Sequence, residues 1–219
     1  VDIDFSDGDD VFTDDSTRQR LALYDAVLTL KGHGVEVRAM AWHAGDVIAL
    51  RIDDRRRRPQ PIRIGLRMLR EPVAVKLSHR AVSTLDRADG RILLRQEFSE
   101  GEHSCGSVVA VAAAGRSSRI KQVHDRELNL CLPALAGPAT VFISSAATFS
   151  AGVDVQRRAL ADLRCAVKRG WRGLLADNRE CTACANSCPY RAIRIVFSEE
   201  EYKSFPQVDL AKCPGCGAC

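Results

Sequence analysis

The sequence contains no run of eighteen apolar residues, so no membrane-spanning helix is expected from it. Its beginning lacks the charged, then apolar, then small-residue order of a signal peptide. Aromatic residues are scarce, at 5 % of the chain. The one basic run, Arg55 to Arg58, is therefore not backed by the interleaved rings and one-sided cationic face that a nucleic-acid reader needs. Pro59 and Pro61 follow it, so it reads as a solvated loop, and no nucleic-acid partner is expected. The five histidines (33, 43, 79, 103, 124) never fall at metal-binding spacing on a helical pattern. His103 stands two residues from Cys105, with no orienting third group in view. Residues 1–15 carry seven Asp and no Lys or Arg, but not in the ordered spacing of an EF-hand, so a solvated acidic segment is expected. Internal repeats and low-complexity linkers are absent.

What remains is enough for a core: 46 % of the 219 residues are hydrophobic. Most of residues 21–150 alternates with period two, the signature of half-buried strands. Val35, Val37, Ala39 and Ala41 lie on one face, against Glu36, Arg38 and Met40 on the other. Ile62, Ile64, Leu66 and Met68 alternate with Arg63, Gly65, Arg67 and Leu69. Asp46 to Ile52, Ile92 to Phe98 (after the turn signal Asp89-Gly90), Ser107 to Ala113 and Thr140 to Ser144 are further strands. Many short strands between turn signals predict an antiparallel sandwich. Near Ser150 the period changes. Val155, Ala159, Leu160, Leu163, Ala166 and Val167 recur at steps of three and four, a helix stripe that Gly170 closes, and a second short helix is expected from Trp171 to about Asn178.

The cysteines are unevenly placed. Cys105, Cys131 and Cys165 are scattered and read as small buried hydrophobes. The other six fall in the last 39 residues, as Cys181-Thr-Ala-Cys184-Ala-Asn-Ser-Cys188-Pro189 and Lys212-Cys213-Pro-Gly-Cys216-Gly-Ala-Cys219. Cysteines at two- and three-residue gaps are metal ligands or disulfides, and adjacent C-x-x-C pairs favour metal. This segment resembles bacterial two-cluster ferredoxins, whose motif is C-x2-C-x2-C-x3-C-P given twice. The resemblance implies short strands at Ile193 to Phe197 and Gln207 to Leu210. It also implies one [4Fe–4S] cluster held by Cys188, Cys213, Cys216 and Cys219. Cys181 and Cys184 would be two ligands of a second cluster, whose remaining positions this sequence does not supply. Zinc in the paired C-x-x-C units is the alternative; it would leave Cys188 and Cys219 idle.

Residues 21–178 resemble the N-terminal β-sandwich of glycoside hydrolases with helical-barrel catalytic domains, the α-fucosidases of family 95 and the disaccharide phosphorylases of family 65. The carrying residues are Leu21 to Leu30, the Val35 to Trp42 strand, Asp46 to Ile52, Gly90 to Phe98 and the closing Leu174-Leu-Ala-Asp-Asn-Arg. That resemblance places the catalytic carboxylates in the barrel, so no catalytic residue is carried onto this chain.

The expected fold class is mixed: an antiparallel β-sandwich, linker helices and a small incomplete α+β ferredoxin-like module. The expected domains are an acidic segment 1–20, a sandwich 21–150, a helical linker 151–178 and an iron–sulfur segment 179–219. The main functional expectation is electron transfer to a redox partner through a [4Fe–4S] module, in the cytoplasm. The alternative is an accessory sandwich of a carbohydrate-active enzyme, with carbohydrate met through the sandwich and an adventitious cysteine tail. The start at Val1 and the end inside a motif suggest a fragment.

Overall fold

The structure, a computed structural model of the chain, describes all residues except 6–10, 14, 23–24, 116, 135–136, 151, 180–187, 189, 199–202 and 216–219. In chain order the strands are β1 (Asp2–Asp4), β2 (Arg18–Ala22), β3 (Val27–Gly32), β4 (Val35–Trp42), β5 (Val47–Asp54), β6 (Ile62–Arg67), β7 (Val73–Lys76), β8 (His79–Ala88), β9 (Arg91–Glu100), β10 (His103–Ala114), β11 (Arg119–His124), β12 (Glu127–Leu132) and β13 (Gly137–Thr148). They are followed by α1 (Val155–Arg179), β14 (Ile193–Ser198) and β15 (Lys203–Val208).

Two antiparallel sheets make the sandwich. One has the order β1-β6-β12-β11, and the other the order β2-β3-β4-β5-β13-β10-β9-β8-β7. The first core lies between them. It gathers Ile62, Ile64 and Leu66 of β6 and Leu128, Leu130 and Leu132 of β12 with Ile52, Ile92, Val111 and Val141 of the large sheet. These are the alternate positions of each strand, which is why β6 reads as a period-two pattern and β12 has the same alternation.

The second core lies on the opposite face of the large sheet. There Met40, Trp42, Ala49, Leu93, Ala110, Ala112 and Phe142 meet Leu163, Ala166, Trp171 and Leu174 of α1. A strand covered on both faces has no reason to alternate. This explains the unbroken apolar run Val108 to Ala114 in β10, where Val111 enters the first core while Ala110 and Ala112 enter the second. The stack is therefore sheet, sheet, helix.

This corrects the expected fold class in two places. The residues expected as linker helices form one helical element that covers a sheet face. The stripe Val155, Ala159, Leu163 and Ala166 is buried, because the apolar face of the large sheet must be removed from water somewhere. In addition, no ferredoxin-like α+β module is present among the described residues. After Arg179 these form only the hairpin β14–β15, paired from Ile193↔Val208 to Ser198↔Lys203, with no helix. The second strand of that hairpin runs from Lys203 rather than from Gln207. No helix among the described residues is long and apolar enough to cross a membrane.

α1 begins at Asp154, whose Oδ1 accepts the Arg157 N–H at 2.9 Å, an N-cap bond. It is broken at Gly170, which sits at φ 64°, ψ 176°, a region essentially restricted to glycine. The break lets the stretch from Trp171 redirect onto the sheet. A Cβ there would meet nothing within 4 Å, so the penalty of Gly170→Ala is backbone strain alone. The variant is expected to lose about 1–3 kcal/mol in a urea unfolding titration. An unchanged midpoint would mean that the break is not required.

Candidate functional site

Register places a polar field beside the helix. Partners directly across a ladder share a face. Arg18, Lys31, Glu36 and Asp53 form one such row across β2–β5, and Arg20, Thr29, Arg38 and Arg51 the next. Two residues further along β4 lies Met40, in the helix-covered core, so both rows are on the helix side of the sheet, just beyond where the helix covers it. The last turns of α1 and these rows bound a groove of about 480 Å³. Its floor is apolar, from Ala22, Val27 and Leu175 with Trp171, which is only 7 % exposed. Its walls are charged, with five cations against two carboxylates.

The two carboxylates are committed. Glu36 is shared by Lys31 Nζ at 2.8 Å and Arg38 Nε at 2.6 Å. The Lys31 hydrogen bond, with help from Arg38 and against partial burial, holds Glu36 below the usual carboxylate range. Asp25 accepts from Arg179 Nε at 2.7 Å. A carboxylate held ionised in this way is a poor general acid, so Glu36 is not placed to donate a proton. Among the described residues Arg18, Arg20 and Arg51 have no carboxylate partner. Arg51 lines a smaller hollow next to the groove, together with Asp53 and Arg55.

The end of the helix that closes the groove is fixed by polar bonds. Asn178 is buried. Its Nδ2 donates to the Ala41 carbonyl at 2.9 Å, and its Oδ1 accepts the His43 N–H at 3.1 Å. Trp42 Nε1 donates to Asp177 at 2.9 Å. The second Asp177 oxygen binds Arg169, and this bond, helped by Trp42 and opposed by burial, holds the Asp177 pKa below the ordinary carboxylate value. Both tryptophans are thus used for packing and anchoring.

The cysteine expectations fare differently. Cys181, Cys184, Cys216 and Cys219 lie outside the described residues. Cys188 and Cys213 are described, half-buried and free. Cys188 Sγ accepts the Ala192 N–H at 3.3 Å; this bond is the main reason its thiol sits below the usual value, and the Tyr190, Ile193 and Arg191 amides add to it. Among the described residues no three His, Cys, Asp or Glu side chains are gathered to hold a metal ion. The ferredoxin reading is corrected accordingly: the described part of that segment folds as a plain hairpin, while the ligand set expected at Cys188, Cys213, Cys216 and Cys219 lies half outside the described residues. Cys165, expected inside, is exposed on α1.

Other expectations are revised by contacts. Arg56 of the basic run is no solvated side chain; it is bound to buried Asp54. Part of the acidic beginning is strand β1, where Asp4 pairs with Arg63 and Asp2 with Arg67. The groove arginines were missed. The signal was present in β4, where Glu36 and Arg38 share the face of Met40 and Trp42, but only the register of β2 and β5 shows that they join a wider field.

No family model matches this chain, and no curated protein matches it. Among solved structures, the fold is similar to "Putative kojibiose phosphorylase from human microbiome", with a TM-score of 0.51 at 13 % identity. The match covers 84 % of this chain and 26 % of that one, so this chain spans about a quarter of the phosphorylase-named structure. At this identity the likeness is one of fold. It agrees with the sandwich resemblance drawn from residues 21–178.

Proposed function

We propose that this chain is an accessory β-sandwich domain of a carbohydrate-active enzyme. The observation that carries the reading is the shared fold: this chain matches a phosphorylase-named structure over 84 % of its own length but only 26 % of that one. A domain of that share is a part that supports chemistry done elsewhere. The architecture suits such a role. Each face of the large sheet carries a packed core, and the helix end is bolted down by Asn178 and Asp177, which suits a rigid platform. Rigid platforms hold loops and neighbouring domains in register with a site.

The test is sequencing of the source DNA in long reads across the codons for Leu174 to Cys188, followed by expression of the complete product. The reading expects that product to cleave glycosidic bonds, by water or by phosphate, in a panel of neutral and acidic oligosaccharides. A complete product inert on every oligosaccharide of the panel would overturn it.

A further inference from the structure

We propose that the groove between α1 and strands β2–β4 binds a saccharide that carries an ionised acid group, a carboxylate, sulfate or phosphate. The proposal rests on the carbohydrate reading above and names the ligand class for this chain's own groove. Three features converge. The apolar floor of Val27, Leu175 and Trp171 suits the carbon face of a sugar ring. The volume of about 480 Å³ falls within the range of small-molecule clefts. The wall is a register-built row in which Arg20 and Arg38 flank the Thr29 side chain, roughly 10 Å apart at two strand spacings.

The charge balance decides what this wall selects. Glu36 and Asp25 are already taken up by Lys31, Arg38 and Arg179. Arg18 and Arg20 have no carboxylate among the described residues and line the same groove. A guanidinium offers a planar fork of donors that matches an oxyanion in bidentate fashion. A neutral sugar leaves that fork facing water; an acidic one engages it. The hydrogen-bonding neighbour Thr29 then meets a ring hydroxyl beside the acid group.

The experiment is calorimetric titration of the 219-residue chain at moderate salt. The probes are trigalacturonate, a sulfated disaccharide, glucose 6-phosphate, neutral maltotriose and a short single-stranded DNA. At least one acidic saccharide should bind about tenfold more tightly than maltotriose, and Arg20→Gln should remove that advantage. Arg87→Gln, on β8 at the other side of the large sheet, should leave it intact. The three acidic probes separate carboxylate, sulfate and phosphate as the recognised group. Arg20 is exposed, and an unchanged melting temperature will show that Arg20→Gln folds. The proposal is overturned if no acidic saccharide exceeds maltotriose, if Arg20→Gln changes nothing, or if DNA binds as tightly as trigalacturonate, which would mark a plain polyelectrolyte surface. Failure here, with a complete gene product that still cleaves neutral oligosaccharides, would sink the acid-group selectivity alone and leave the enzyme-domain reading standing.

Discussion

Asp54→Ala is expected to lower stability by about 3 kcal/mol, since removal of one partner strands the other charge. Asp54 is 1 % exposed at the end of β5, and its carboxylate organises the loop to β6. It accepts from Arg56 Nε at 2.9 Å, Arg56 Nη2 at 2.8 Å, the Arg56 N–H at 3.1 Å and the Gln60 N–H at 3.3 Å. Arg56 Nη2 also reaches the Phe5 carbonyl at 2.7 Å, so the loss spreads to the chain beginning. Chemical unfolding of the variant at neutral pH measures the effect. The pH dependence supplies an independent check. Burial alone would raise the Asp54 pKa, but the hydrogen bonds from Arg56 and Gln60 outweigh it, and the net shift is downward. A folded pKa below the unfolded one adds stability that is present above about pH 4 and lost as pH falls through the folded value. Wild type and variant should therefore converge in stability under acid. A gap that stays constant down to acid unfolding would show that the carboxylate charge is not the source.

The second large effect is at Phe142. This residue is fully buried on the helix side of β13, in the cluster with Leu163, Ala166, Trp171 and Leu174. Phe142→Ala removes apolar contacts and leaves a cavity, at about 3–5 kcal/mol. For a chain of this size the melting temperature should fall by roughly 10 °C. Phe142→Leu should lose much less. A change of under about 1 kcal/mol for the alanine variant would mean that the helix does not seal this face of the sheet.

These two sites also mark how far the sequence could be read. β6 was legible because Ile62 and Ile64 alternate with less buried residues, and the first half of β4 because Val35 and Val37 alternate with Glu36 and Arg38 before Met40 and Trp42 enter the second core. The helix was legible in the spacing of Val155, Ala159 and Leu163, and its break in Gly170. Its role was not. Whether a helix links or covers depends on the partner face, and that face is assembled from Ala49, Leu93, Ala110 and Phe142 on strands far apart in sequence. The same reason hid the groove. Arg20, Arg38 and Arg51 join one row only through the order β2-β3-β4-β5, which is a matter of pairing rather than of any local pattern. Arg56 and Asp54 were hidden differently. Two charges two residues apart look solvated until the loop folds back and buries them. The cysteine spacing was the loudest signal in the sequence, but Cys181, Cys184, Cys216 and Cys219 lie outside the described residues, and a cluster is decided by gathering in space rather than by spacing along the backbone.

The central claim is that the sandwich with its covering helix stands by itself as the functional half of this chain. Thermal unfolding of residues 1–179, compared with the full chain, tests it most directly. The cut lies after Arg179 because Asn178 hydrogen-bonds Ala41 and His43, and Arg179 pairs with Asp25. The account predicts a single cooperative transition, within about 3 °C of the full chain, because the cut removes little of the packed core. Loss of cooperative unfolding in residues 1–179, with the full chain intact, would show that the cysteine-rich segment is part of the folded unit and would contradict the claim.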